Sequence, residues 1–109
     1  MTAGVGTFNY MAPEMFAVSD KYGNGVDVYT LAILAQEILT GEVPFRGMTD
    51  PQVMYMVLEG RRPPVPPEWP QKIRDVLASG WHQNAAQRCT AAQFRDLFAA
   101  AAEKTESEP

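Results

Sequence analysis

The chain has 109 residues, enough for one domain or part of one, since domains most often run about 100 to 150 residues. Hydrophobic residues make up 46% and charged residues 20%, which is typical of a folded globular protein and excludes a disordered chain. The net charge is −4 and no basic stripe occurs, so neither nucleic acid nor an anionic membrane is expected as a partner.

The sequence also excludes a metal-binding protein, a disulfide-stabilised protein and a membrane-spanning protein. The one cysteine, Cys89, has no partner for an internal disulfide, and the one histidine, His82, has no second ligand at metal-binding spacing. No apolar run approaches the roughly 20 residues of a membrane span, and no signal-peptide pattern opens the chain. We therefore predict a cytoplasmic protein with no metal site and no cofactor site of its own.

The first part of the chain is predicted to be loop with one short helical turn. Met1 to Tyr10 contains glycines and threonines without a helical period. Met11 to Phe16 follows as a turn of helix, with Pro13 at its start and Glu14 where the helix dipole favours a negative charge. Ala17 to Gly25 is rich in glycine and polar residues and is predicted to be a second loop.

Asp27 to Gly41 predicts the central helix of the fold. Its apolar side chains leave almost no polar stripe, and a helix of this kind is normally surrounded by other elements. Asp27 suits the helix start, and Gly41 is the usual residue for a helix end.

Two amphipathic helices are predicted on either side of a proline-rich connector. The loop after Gly41 should return Phe45 to the core, and Asp50 should cap a helix that runs from Pro51 to Glu59. Arg61 to Pro70 holds five of the nine prolines and can be neither helix nor central strand. The apolar spacing of Ile73 to Trp81 then predicts the next helix.

The last helix is predicted from a capping box formed by Thr90 and Gln93. Beyond it, Glu103 to Pro109 is predicted to be a polar disordered tail, so the domain should cover residues 1–102. No strand pattern and no repeat occur. The fold class predicted is all-α, with a central buried helix surrounded by shorter helices and long loops.

Four segments, in their order along the chain, resemble the C-terminal part of the large lobe of a protein kinase domain. Their sequences are closest to those of tyrosine-kinase-like serine/threonine kinases. They span the chain from Met1 to about Ala102. The segments are GTFNYMAPE, which is similar to the end of the activation segment with its Ala-Pro-Glu motif; DVYTLAILAQEILTGEVPF, the central helix; the helix at Pro51 with its connector; and WHQNAAQR, similar to Trp-x-x-Asp-Pro-x-x-Arg.

The resemblance implies a substrate-positioning role for three residues. Thr7 matches the threonine that supports the catalytic aspartate and the phosphate-contacting lysine, and Tyr10 matches the tyrosine that lines the peptide-positioning loop. Glu37 matches a position that some kinases use to read a basic substrate residue. Thr2 lies where activation-loop phosphorylation often occurs, so it is a candidate phosphorylation site that would act by pairing with arginines.

The resemblance also implies structural roles for three charged residues. Glu14 matches the glutamate that pairs with the late arginine, here Arg88, and we expect this pair to be partly buried. Asp27 matches the carboxylate that accepts hydrogen bonds from the catalytic loop. If Asp27 is buried without those partners, its charge is uncompensated, and marginal stability follows. Asn84, Ala85 and Cys89 depart from the family pattern, which has Asp, Pro and Pro.

The sequence contains no Gly-x-Gly-x-x-Gly, His-Arg-Asp or Asp-Phe-Gly, the motifs that hold ATP, Mg²⁺ and the catalytic base in kinases. No catalytic residue is therefore predicted, and ATP and magnesium are expected only in a complete parent kinase. Three hypotheses follow: a truncated piece of a serine/threonine kinase that is inactive alone, a non-catalytic module that docks a protein substrate or regulator, and a structural remnant.

Arg61, Pro64 and Pro67 also match Arg-x-x-Pro-x-x-Pro, a polyproline pattern that SH3 domains bind. Short motifs of this kind recur by chance, so a plain connector between two helices is the favoured interpretation of this segment.

Overall fold

The computed structural model describes residues 8–16 and 25–107, with side chains as far as residue 101. Within these residues four α-helices carry the fold: α1 (Gly25–Thr40), α2 (Asp50–Leu58), α3 (Gln71–Gly80) and α4 (Ala91–Ser107). Short 3-10 helices lie at Phe8–Tyr10, Pro13–Phe16 and Ala85–Gln87. The described residues contain no strand, which confirms the all-α prediction.

Helix α1 lies at the centre of the packing. It contacts α3, α4 and the 3-10 helix at Phe8–Tyr10, while α3 also packs on α4. The core that forms between these elements contains Val28, Tyr29, Ala32, Ile33, Val53, Val57, Ile73, Leu77, Trp81 and Phe94. The central position predicted from the apolar pattern of α1 is therefore confirmed.

One face of α1 nevertheless remains open. Asp27 is exposed, and Leu31, Leu34 and Ile38 on the same side keep 36%, 39% and 79% of their surface exposed. Their spacing of four, three and four residues places them on one side of the helix. The burial of Asp27 on which the predicted marginal stability depends is not observed, because no element in the described part of the chain covers this side. The charge penalty inferred for it does not arise here.

The N-terminus of α2 begins one residue earlier than the sequence predicts. Thr49, not Asp50, is the capping residue, and its hydroxyl accepts a hydrogen bond from the Gln52 backbone N–H at 3.3 Å. The Gln52 side chain in turn accepts from the Thr49 backbone N–H at 2.9 Å, which completes a capping box. Threonine and aspartate are both favourable N-cap residues, so N-cap propensity alone does not decide between Thr49 and Asp50.

The predicted capping box of α4 is confirmed. Thr90 accepts from the Gln93 backbone N–H at 3.0 Å, and Gln93 accepts from the Thr90 backbone N–H at 2.8 Å. The helical backbone continues to Ser107, so residue 102 is not a break in secondary structure. Disorder of the tail stays a prediction.

The loop after α1 is held by left-handed backbone conformations. Gly41 has a φ of 77° and Gly47 a φ of 85°, which glycine adopts without steric cost. Phe45 has a φ of 57° although it carries a side chain, and its ring is buried at 7% exposure. The prediction that this aromatic ring returns to the core is confirmed, and its burial offsets the backbone strain.

Candidate functional site

The loop around Tyr10 is fastened to α1 at two points. The Tyr10 hydroxyl donates a hydrogen bond of 2.6 Å to Oε1 of Glu37, and the Thr30 hydroxyl donates one of 2.9 Å to the Tyr10 carbonyl. Thr30 and Glu37 are seven positions apart on α1, two turns of the helix, so they share one face. The structure thus brings together two of the predicted substrate-positioning residues.

The Tyr10 phenol is held in its protonated, donating form. Burial and the hydrogen bond to Glu37 raise the pKa of Tyr10 to about 12. Hydrogen bonds to a carboxylate are stronger than those between neutral groups. At neutral pH this contact therefore orients the Tyr10 ring and one oxygen of a partly exposed acidic side chain.

A third hydrogen bond holds the loop around Tyr10, and the sequence did not predict it. Asn9 is buried at 8% exposure, and its amide donates a hydrogen bond of 2.7 Å to the carbonyl of Pro44. This bond joins the loop around Tyr10 to the loop that follows α1. A single asparagine in a polar loop carries no periodic signal, so sequence patterns could not have identified it.

Glu14 and Arg88 form a bidentate ion pair. Arg88 donates from Nη1 to Glu14 Oε2 at 2.7 Å and from Nη2 to Oε1 at 2.9 Å. The Arg88 side chain is fully buried, whereas Glu14 keeps 27% of its side-chain surface exposed. Burial is the largest single influence and acts to raise the pKa of Glu14. The hydrogen bonds from Arg88 and from the backbone, together with the positive charges of Arg88 and Arg62, outweigh burial, so the pKa lies below the ordinary value of 4.5. A paired, hydrogen-bonded arrangement of this kind is what a buried guanidinium requires.

Arg88 is also held by the backbone around it. Its Nε donates 2.7 Å to the His82 carbonyl and its Nη1 donates 2.9 Å to the Gly25 carbonyl at the start of α1. Asn84, at the position where the resemblance expects an aspartate, accepts from the Ala86 backbone N–H at 3.0 Å and caps the short helix before Arg88. An asparagine side chain therefore suffices as the cap of this turn.

Tyr29 lies close to two arginines. The guanidinium carbons of Arg62 and Arg88 are 5.0 and 5.1 Å from the centre of its ring, within the range of cation–π attraction. The Tyr29 hydroxyl is buried without a hydrogen-bond partner among the described residues, and burial raises its pKa to about 12. The sequence pattern predicts only that this position belongs to the central helix. An aromatic residue in an apolar run gives no sign that arginines lie near its ring.

The remaining predicted residues fall outside this arrangement. Thr2 and Thr7 lie outside the described residues, and Asp27 lies in the first turn of α1 with an exposed carboxylate. Among the described side chains, in residues 8–16 and 25–101, no cluster could hold a metal ion. No helix of the described part is long and apolar enough to cross a membrane.

Comparison with known proteins gives a family match and several relatives. The family model for protein tyrosine and serine/threonine kinases matches residues 2–98. The chain is 36% identical over 99 residues to the serine/threonine-protein kinase STY17 of Arabidopsis thaliana, a match that covers 90% of this chain and 17% of that protein. It is 34% identical over 87 residues to human mitogen-activated protein kinase kinase kinase 11, covering 79% of this chain and 10% of that protein.

A third relative is the serine/threonine/tyrosine-protein kinase HT1 of Arabidopsis thaliana, 36% identical over 86 residues, with 77% of this chain and 22% of that protein covered. The chain thus spans between 10% and 22% of the length of these three relatives. Its all-helical fold is consistent with the C-terminal lobe of a kinase domain. By the extent of the family match, the chain belongs to the protein tyrosine and serine/threonine kinase family.

Proposed function

We propose that this chain is the substrate-positioning part of the large lobe of a serine/threonine protein kinase and that it does not transfer phosphate by itself. The observation that carries this proposal is the double fastening of Tyr10, through its hydroxyl to Glu37 and through its carbonyl to Thr30. A loop held in this way presents a fixed edge to a peptide, and positioning of reactants is a large part of kinase catalysis.

Glu37 gives this edge of the loop a preference for basic side chains. Its carboxylate lies beside the Tyr10 hydroxyl and is partly exposed, so a basic side chain of a protein substrate can approach it. An arginine would be favoured over a lysine where both oxygens are engaged, since guanidinium geometry matches a carboxylate. The partner we propose is therefore a protein, either a substrate or a regulator, rather than nucleic acid or membrane, in the cytoplasm.

The chain is proposed to be inactive alone because the groups that stabilise a transferring phosphoryl group are absent from its sequence. It has no glycine-rich loop, no His-Arg-Asp and no Asp-Phe-Gly. A complete parent kinase would supply ATP, Mg²⁺ and the catalytic base together. Binding of ATP and Mg²⁺ is accordingly assigned to such a parent and not to this chain.

The open side of α1 supports the same proposal. Leu31, Leu34 and Ile38 are apolar and exposed, in line with the exposed carboxylate of Asp27. A contiguous apolar strip on an otherwise central helix is typical of a surface that another segment covers. We infer that in a complete lobe this side of α1 carries the catalytic loop, with Asp27 accepting its hydrogen bonds.

The test has two parts. Incubation of the chain with ATP, Mg²⁺ and a general serine/threonine substrate should give no phosphate transfer, and turnover above the buffer blank would overturn the proposed inactivity. Titration with a peptide that contains a serine and an arginine should give binding that Glu37→Gln weakens. Asp96→Asn, which removes an exposed carboxylate on α4, is the matched control. Equal binding by the Glu37 and Asp96 variants would contradict the role of Glu37.

A non-catalytic docking module is the second candidate function. It is favoured by the outer side of α2, where Tyr55 and Leu58 keep 63% and 48% of their surface exposed. The two candidates differ in what restores activity. A kinase part should regain phosphate transfer when fused to a segment that contains the missing motifs, whereas a docking module should bind its protein partner without regard to them.

A further inference from the structure

The connector between α2 and α3 exposes every third side chain. Arg61, Pro64 and Pro67 are all exposed in the structure. The residues between them are buried or partly buried: Arg62, Pro63, Val65 and Pro66. The alternation follows a period of three over residues 61–67, which is neither the period of an α-helix nor that of a strand.

A period of three is expected from the local chemistry. Each proline ring fixes its own φ near −65°, and the residue before a proline is pushed towards extended or polyproline II conformations. Polyproline II has three residues per turn, so positions i, i+3 and i+6 share a side. The segment forms neither helix nor strand, with a bend at Pro63 and a turn that begins after Pro66, closed by the Trp69 N–H to the Pro66 carbonyl at 3.1 Å.

The inner side of the connector is anchored to the fold. Arg62 donates 2.9 Å to the Trp81 carbonyl and 2.6 Å to the side chain of Gln83. Gln36 on α1 donates 2.7 Å to the Pro64 carbonyl. These bonds use the backbone of Pro64 and the side chain of Arg62, and they leave the rings of Pro64 and Pro67 facing outwards. A segment ordered in advance loses little conformational entropy when a partner binds it.

We propose that Arg61, Pro64 and Pro67 form a docking surface for an SH3 domain. The aromatic groove of such a domain packs against the two exposed proline rings, and its acidic pocket receives the Arg61 guanidinium. Arg61 is available for this exchange, since its ion pair with Glu59 is long at 3.6 Å and both side chains are exposed. Such an exposed pair contributes little to stability and competes weakly with a desolvated acidic pocket.

If the segment is only a connector, this explains why prolines separate α2 from α3. It does not predict which of the prolines face the solvent. Here the three residues of the sequence motif are the ones exposed, and the anchoring residues lie between them. The inference does not depend on the proposed kinase role, because SH3 binding needs no phosphate transfer. A blank phosphotransfer assay leaves it unaffected.

The test is an NMR titration of the isotope-labelled 109-residue chain with an isolated SH3 domain that binds Arg-x-x-Pro-x-x-Pro peptides. Saturable binding is expected, with chemical-shift changes centred on residues 61–67. Arg61→Glu and Pro64→Ala should each lower the affinity about tenfold or more, as loss of a charged hydrogen bond or a packed ring predicts. Arg95→Glu, the same charge reversal on the exposed side of α4, should leave the affinity unchanged.

Two results would overturn the proposal. One is an absence of binding by the chain at SH3 concentrations that saturate a free peptide of residues 59–69, which would mean that the motif is inaccessible in the fold. The other is a set of shift changes in the unsubstituted chain that lies away from residues 61–67. Because this second readout needs no variant, it decides the matter even if a substitution prevents folding.

Discussion

Arg88 and Glu14 are 74 residues apart in the sequence and meet through two hydrogen bonds of 2.7 and 2.9 Å. Through the same guanidinium group, Arg88 reaches the carbonyls of His82 and Gly25. One side chain therefore joins the Ala-Pro-Glu segment, the start of α1 and the turn before α4. The Arg88 side chain is fully buried, so its hydrogen bonds are stronger than they would be in water.

Replacing Arg88 should destabilise the protein strongly. Arg88→Ala leaves the Glu14 carboxylate and two backbone carbonyls without their donor, and breaking a buried pair in this way costs about 3–5 kcal/mol. Arg88→Lys keeps the charge but loses the bidentate geometry, so its cost should be smaller. Urea denaturation measures both. Arg95→Ala, an exposed arginine on α4, should stay within about 0.5 kcal/mol of the parent chain.

The ion pair should also make stability depend on acid pH. The folded-state pKa of Glu14 lies below the ordinary value of 4.5, so the stabilisation is present above that pH and is lost as pH falls through the folded pKa. Glu14→Gln removes this titration. The difference in urea midpoint between the parent chain and Glu14→Gln should therefore be largest near neutral pH and should shrink below about pH 4.5. A difference that stays constant into acid would contradict the assignment.

Gly80 should not tolerate a larger residue. A Cβ at this position would lie 2.8 Å from Cδ2 of Phe94 and 3.0 Å from the Cβ of Ala32, where α1, α3 and α4 approach one another. Alanine favours a helix over glycine by up to about 1 kcal/mol, but overpacking costs about 1–3 kcal/mol. We expect Gly80→Ala to lower the unfolding free energy.

Two further variants separate these effects. Ala78→Gly, at an exposed position of the same helix, measures only the difference in helix propensity between alanine and glycine. Adding Phe94→Leu to Gly80→Ala relieves the contact, and a double-mutant cycle should then give a favourable coupling between the two sites. Strictly additive changes would mean that the ring of Phe94 moves aside without cost.

The Tyr10 phenol should titrate abnormally late. Burial and the hydrogen bond to Glu37 raise its pKa to about 12, so stabilisation from the protonated phenol is complete below pH 10 and is lost as pH rises towards 12. Because burial is the larger cause, Glu37→Gln should lower the pKa only part of the way to 10. NMR of labelled tyrosine rings follows this titration. A normal pKa in the parent chain would show that the Tyr10 hydroxyl is not held by Glu37 in solution.

The helices could be predicted from sequence because their signals are local. The apolar period identified α3, and Thr90 with Gln93 identified the start of α4. The start of α2 was placed one residue late, since Thr49 and Asp50 both suit an N-cap and only the hydrogen bonds distinguish them.

The site was less accessible to sequence reasoning because its contacts are long-range. Pairing of Glu14 with Arg88 followed from the family resemblance alone, and no local rule joins residues 74 positions apart. Neither the two arginines near the Tyr29 ring nor the buried amide of Asn9 gives a sequence pattern. Burial of Asp27 was considered only through the family resemblance, and neither that resemblance nor hydrophobic periodicity reveals whether a neighbour covers a given side of a helix.

The open side of α1 also sets the calorimetric behaviour of the chain. The heat capacity of unfolding and the urea m-value both scale with the apolar surface newly exposed, and Leu31, Leu34 and Ile38 already face water in the native state. We expect a heat-capacity change per residue below the usual value of about 12–15 cal/mol/K, measured by differential scanning calorimetry. A value at or above that range would mean that this side is covered in solution. In thermodynamic terms, the central helix of this protein is already partly hydrated before unfolding begins.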